Sequence, residues 1–121
     1  MNEVPYELYL AFSAATDIPV YYDVAPVTAE NDCIAFVAAG GEAPERGAGT
    51  LGLKIYARSL TADGLSEVWA EIREMLKVFD EACDVGGVHI TRTRAGMPSF
   101  DGVDQQGRIY EVVEVELGYH T

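Results

Sequence analysis

The residues able to do chemistry are few in this chain of 121 residues: two histidines, two cysteines, scattered carboxylates and two glycine pairs. His89 lies in a β-like segment and His120 near the end of the sequence. Neither has a partner at a helical metal-ligand spacing, and no Ser, His and Asp arrangement suggests an activated nucleophile. Cys33 and Cys83 are far apart and lack the second pair that a zinc site needs. Cys33 falls in an apolar run and Cys83 just past a helix, so both read as buried or half-buried free thiols, which fits a reducing compartment. Asp101 and Asp104 resemble part of a calcium loop, but the third acidic ligand and the closing Glu are absent, and turn-forming carboxylates are the better account. Gly40-Gly41 and Gly47-Ala48-Gly49 follow neither the Rossmann nor the P-loop pattern, and no Gly-Lys-Ser/Thr closes either run. The chain is expected to hold no metal, no cofactor and no catalytic residue.

Charge is the stronger signal. Eight Lys and Arg against twenty Asp and Glu give a net charge of −12, which repels phosphate backbones and anionic lipid. Plain solubility accounts for much of this, although a wall that repels phosphates also lets a duplex slide past. A mimic of DNA would need a carboxylate array along one face, and here the acids are scattered. Arg92, Arg94 and Arg108 form the one local excess of positive charge. Two readings stay open for them: pairing with carboxylates of the same chain, or pairing with an acidic face such as Glu114 and Glu116 on a second copy. Residues 40–49 carry four glycines, Pro44, Glu42, Glu45 and Arg46, with no alternation. They read as a flexible loop between two strands, of the kind that orders against a neighbour.

The elements that must position these groups fit one domain spanning residues 1–121. Apolar residues make up 49% and charged residues 23%, the proportions of an ordinary globular protein. Residues 6–15 suggest a short helix ending before Pro19, and 18–23 a first strand. Residues 32–38 are apolar on both alternating sets, as in a central strand covered on both faces. Residues 50–59 place Leu51, Leu53, Ile55 and Ala57 on one face and Lys54, Tyr56 and Arg58 on the other. Leu65, Val68, Trp69, Ile72, Leu76 and Phe79 then form a helical stripe, with Thr61 or Asp63 as cap and Gly86 and Gly87 beyond its end. Trp69 and Phe79 belong to the core on this spacing. Residues 88–94 form another strand, 100–108 a tight polar connection, and 109–119 the last strand, with Glu114 and Glu116 opposite its apolar face. The fold class is therefore α+β: a mixed or antiparallel sheet of about five strands, one long amphipathic helix on one face and a short N-terminal helix. No window approaches the ~20 apolar residues of a membrane span, and the N-terminus lacks the basic and apolar regions of a leader. Synthesis and retention in the cytoplasm are expected.

Three segments carry a resemblance. They are Ile18-Pro19-Val20-Tyr21-Tyr22-Asp23 with Pro26 and Asn31-Asp32-Cys33-Ile34-Ala35-Phe36; Leu53-Lys54-Ile55-Tyr56-Ala57-Arg58-Ser59 before the helix; and Met97-Pro98-Ser99-Phe100-Asp101-Gly102-Val103-Asp104 with Gly107-Arg108-Ile109-Tyr110. In this series the chain resembles the tail terminator, or tail completion, proteins of long-tailed bacteriophages, also called minor capsid proteins. The resemblance implies a virion structural protein and not an enzyme: a subunit of a ring, usually a hexamer, at the head-proximal end of the tail. Such a ring seats on the tail-tube protein, halts tube growth and meets the head-tail connector or neck protein, in a phage or a phage-derived particle such as a gene transfer agent. DNA would pass nearby without specific binding, and no membrane would be involved. The expected subunit or tube interface comprises Glu42, Glu45, Arg46, Arg92, Arg94, Arg108, Glu114 and Glu116. The alternatives are a head-completion or neck protein of the same particle and, from another class, a small-ligand-binding domain or enzyme using His89, Cys33 or residues 101–104. The last lacks a second convergent polar cluster.

Overall fold

The computed structural model describes residues 4–23, 25, 26, 28–45, 47–80, 83–85 and 88–120. Its elements run α1 (Val4–Ala14), β1 (Val20–Tyr22), β2 (Cys33–Glu45), β3 (Ala48–Ser59), α2 (Ala62–Asp80), β4 (Cys83–Val85), β5 (Val88–Ala95), β6 (Ser99–Val103) and β7 (Ile109–His120). The class is α+β, with a mixed sheet and two helices. The sheet order is β1-β2-β3-β7-β5-β4, and β6 also pairs with β7. Among the described residues only β1 and β2 run parallel. β5 and β6 lie end to end along one flank of β7, opposite residues 115–120 and 109–112, so the sheet is six strand positions wide.

One face of this sheet carries both helices. Leu51, Leu53, Ile55 and Ala57 of β3 and Val113, Val115, Leu117 and Tyr119 of β7 are buried there, with Ile34 and Phe36 of β2. From α2 the stripe Leu65, Val68, Trp69, Ile72 and Met75 packs onto them, because three- and four-residue steps align on one side of a helix. Thr61 caps this helix: its Oγ1 accepts from the Gly64 N–H at 3.0 Å, satisfying a donor that the first turn leaves open. α1 contributes Leu8 and Phe12, one turn apart, and Phe12 meets Phe36 at a centroid distance of 5.6 Å. Trp69 is a core residue whose indole N–H donates to Glu111 Oε1 at 2.7 Å. A buried indole needs such a partner.

The structure corrects the sequence reading in four places. Residues 40–49 are not a loop: β2 runs to Glu45 and β3 starts at Ala48, with Gly47 at a φ of 83° in the turn. Register shifts between Ala38 and Gly41 and between Glu42 and Glu45 explain the missing alternation, since each bulge adds a residue and breaks the period of two. Residues 100–108 likewise contain β6, bulged between Phe100 and Gly102, followed by a turn in which Gly107 N–H donates to the Asp104 carbonyl at 3.0 Å. The described residues form seven strands and not about five, because β4 and β6 are too short or too irregular to show a pattern. β2 lies second from the β1 edge, not centrally. Arg46, the helix-ending Gly86 and Gly87, and the side chains of Phe79 and Asp80 lie outside the described residues.

Candidate interface on the open sheet face

Among the described residues no helix lies on the second face of the sheet, which divides into two ends. At one end the described residues between 23 and 32 lie over the strands, and two arginines hold them. Arg58 of β3 is 1% exposed and Arg108, just before β7, is 3% exposed. Arg58 Nη2 donates to the Glu30 carbonyl at 2.7 Å and Nη1 to the Pro26 carbonyl at 3.4 Å and to Tyr110 Oη at 3.2 Å. Arg108 Nη1 donates to the Ala29 carbonyl at 3.4 Å, while its Nε donates to Asp104 Oδ2 at 2.8 Å. Tyr110 Oη donates to the same Asp104 oxygen at 3.1 Å, so one carboxylate joins the two guanidinium systems. Desolvation pushes the Asp104 carboxyl upward, but hydrogen bonds from the Arg108 N–H, its guanidinium and Tyr110, together with the Arg108 charge, outweigh this and hold it below the ordinary range.

The same segment is tied twice more near its end, at residues 30 and 32. Tyr21 Oη donates to Glu30 Oε2 at 2.8 Å; this bond raises the tyrosine, and with a backbone hydrogen bond it lowers the carboxyl. Ser59 Oγ donates to Asp32 Oδ1 at 2.6 Å beside the start of α2, where a Cβ on Gly64 would collide with Ser59 Oγ and approach Asp32 Oδ1 to 3.2 Å. Cys33 is a buried free thiol under this cover, and burial pushes its pKa up.

The other end is uncovered. Lys54 Nζ lies 4.0 Å from Glu114 Oε1, and Arg92 Nη2 lies 3.3 Å from Glu116 Oε1. Arg94 stands opposite Glu116 in the register but forms no ion pair among the described residues. Lys54, Arg94, Glu114 and Glu116, with Ala39, Gly52 and Gly96, border a groove of about 460 Å³. The bulge between Ile90 and Arg92 is what brings the arginines here. Strict alternation would send positions 92 and 94 to the helix side with Val88 and Ile90, and one inserted residue turns them to the open face.

The expected interface residues thus part company. Arg92, Arg94, Glu114 and Glu116 share the uncovered end, and Arg92 pairs with Glu116 of its own chain. Arg108 is buried in the covered end and pairs with Asp104. Glu42 and Glu45 belong to β2 with their side chains outside the described residues, and Arg46 is outside them altogether. Arg58 and Tyr110 were absent from the expected interface, and Asp104 was read as a turn-forming carboxylate; an arginine beside Ser59 at the end of an alternating strand was the hint of this cluster. His89 Nδ1 lies 2.9 Å from Asp84 Oδ1 across the β4–β5 pair. Among the described residues, no group of three or more His, Cys, Asp or Glu is placed to hold a metal. No described helix is long and apolar enough to cross a membrane.

This geometry defines an α+β protein with a one-sided sheet, a buried arginine pair and an uncovered charged surface. The fold is shared with a solved chain from the virion of a native gene transfer agent particle, at a TM-score of 0.64 and 8% identity over 96% of this chain and 91% of that one. A second solved structure matches at a TM-score of 0.51 and 16% identity over 98% of this chain and 91% of its own. No family model and no curated protein matches the chain.

Proposed function

We propose that this chain is a structural subunit of a phage-like virion, and specifically a tail terminator that forms a ring on the finished tube and joins it to the head. The observation carrying this reading is the shared fold: it extends over nearly the full length of both chains, and the other chain belongs to a gene transfer agent virion. The sheet adds support. A part that acts by shape needs a rigid body with an uncovered surface, and here two helices stiffen one face while the other ends in charged, solvent-facing strands. Neighbours in the ring, the tail-tube protein and the connector or neck protein are the partners this role requires. A net charge of −12 suits a component past which DNA moves without sticking.

Deleting the gene from a producing cell and imaging the particles by negative stain tests this. A terminator deletion leaves tails of uncontrolled length and unjoined heads. Tails of normal length beside unattached heads would instead indicate a neck or head-completion protein, and normal particles would remove the virion assembly role.

A further inference from the structure

Tyr6, Leu10, Leu60, Met97, Phe100 and Val103 are the large apolar side chains that stand exposed among the described residues. Scattered singly, such residues need no explanation, but gathered ones mark a contact surface. All but Leu60 gather at two places: Met97, Phe100 and Val103 on β6 or just ahead of it, and Tyr6 and Leu10 one turn apart on α1. Each of these five is between 44% and 87% exposed, so much of their apolar area is left for contacts outside the chain.

The two places match in three respects. The first is level. Phe100 pairs with Glu111, Glu111 with Ala57, Ala57 with Ile34 and Ile34 with Val20, so β6 and β1 are the opposite flanks of one row across the sheet. The second is side. Phe100 and Val103 stand opposite Glu111 and Ile109, which belong to the helix side through Trp69 and the core. Tyr6 meets Tyr22 of β1 at a centroid distance of 5.6 Å, and Tyr22 pairs with Phe36, buried on that same side. The third is direction. β1 is parallel to β2, and three antiparallel steps lead from β2 through β3 and β7 to β6, so β6 runs opposite to β1. A second copy set alongside in the same orientation therefore brings its β1 antiparallel to this β6, at one level, with both apolar groups on one side.

We infer that copies of this chain join head to tail, the Met97, Phe100 and Val103 flank of one packing on the Tyr6 and Leu10 flank of the next. Side chains and not backbone carry the contact. β1 has three residues and β6 five, Pro19 and Pro98 precede them, and β6 is bulged, all of which limit a ladder between edges. Charge favours the same place. At −12 the average surface repels its own copy, whereas these five side chains carry no charge. The contact joins two different surfaces, as a closed ring requires. This rests on the ring reading above and names the surfaces that would make it.

A charge placed on either flank of the full chain tests the contact by sedimentation. Phe100→Glu and Leu10→Glu should each lower the mass from that of the ring to that of the monomer. Both should melt close to the parent, because exposed positions contribute little to the fold. Val103→Glu and Tyr6→Glu repeat the test on the same two flanks, so that one variant that folds poorly does not decide it. Mixing Phe100→Glu with Leu10→Glu should give a species of two chains and no larger one, since each variant keeps the flank that the other has lost. A dimer formed by Leu10→Glu alone would mean that β6 packs on itself, and overturns the head-to-tail contact. Variants that sediment as rings like the parent overturn these surfaces and leave the ring reading standing. A parent chain that stays monomeric at every concentration overturns both.

Discussion

The two ends of the open sheet face are made from the same strands and similar residues, yet they treat arginine in opposite ways. At the covered end Arg58 and Arg108 are buried and spend their donors on the carbonyls of residues 26, 29 and 30. At the uncovered end Arg92 and Arg94 stand in water beside Glu116. The difference lies in what lies over them. A segment with no strand partners of its own needs donors for its carbonyls, and a guanidinium offers five in a planar fork. An arginine in this protein is structural where backbone crosses it and available for a partner where none does.

The largest expected effects test whether the covered end is as structural as the core. Leu53→Ala removes bulk from the helix side and should cost about 2–5 kcal/mol. Arg58→Ala should fall in the same range, because it removes a buried side chain and the guanidinium's hydrogen bonds to the Pro26 and Glu30 carbonyls and to Tyr110, charge-assisted bonds worth about 1.5–3 kcal/mol each. Thermal melts read both as a midpoint lower by many degrees. If Arg58→Ala melts within about a degree of the parent, the segment of residues 23–32 does not depend on its arginine, and the contrast between the ends collapses.

The next effect is at the latch between this segment and α2. Gly64→Ala ordinarily favours a helix, but here the added methyl meets Ser59 Oγ and Asp32 Oδ1. Overpacking of this kind costs about 1–3 kcal/mol. The sign is diagnostic in chemical denaturation: a stabilised variant would mean that the Ser59–Asp32 contact yields freely and that the latch is not tight.

How much of this was legible follows from where the period of two survives. β3 and the latter part of β7 keep it over Leu51 to Ala57 and Val113 to Tyr119, and α2 keeps its stripe, so the core side could be read directly. Bulges erased it elsewhere. Residues 40–45 passed for a loop because two register shifts scramble their alternation, and the face of Arg92 and Arg94 depends on one more shift after Ile90. Arg108 joined Arg92 and Arg94 in a single positive cluster by sequence proximity, whereas its place is set by Asp104 four residues earlier and by Ala29, which is distant in sequence. No local pattern marks an arginine that will be covered by remote backbone.

A smaller effect separates the ends by pH. The Asp104 carboxyl is held below its ordinary value in the folded protein, so it contributes stability that is present above the unfolded carboxylate range and lost as pH falls through the folded value. Asp104→Asn should therefore melt below the parent at neutral pH, with the gap closing as pH drops from about 5 to about 2. A gap that stays constant over this range would mean that the Asp104 charge is not what joins Arg108 and Tyr110.

The smallest effects belong to the uncovered end. The Arg92 and Glu116 side chains are 56% and 52% exposed, so water screens their attraction and holding two long side chains in one geometry offsets much of what remains. Arg92→Ala should change the stability of the isolated chain by at most about 1 kcal/mol. Arg94→Ala should change it less, since Arg94 has no ion pair among the described residues. Denaturant titrations at low and high salt measure both, and any loss at Arg92 should shrink as salt rises. The smallness is the point of the test. A charged edge that contributes little to its own fold keeps its interaction energy for contacts outside the chain. A salt-insensitive loss of 2 kcal/mol or more at either residue would show the uncovered end to be built like the covered one, with its arginines already committed to the fold.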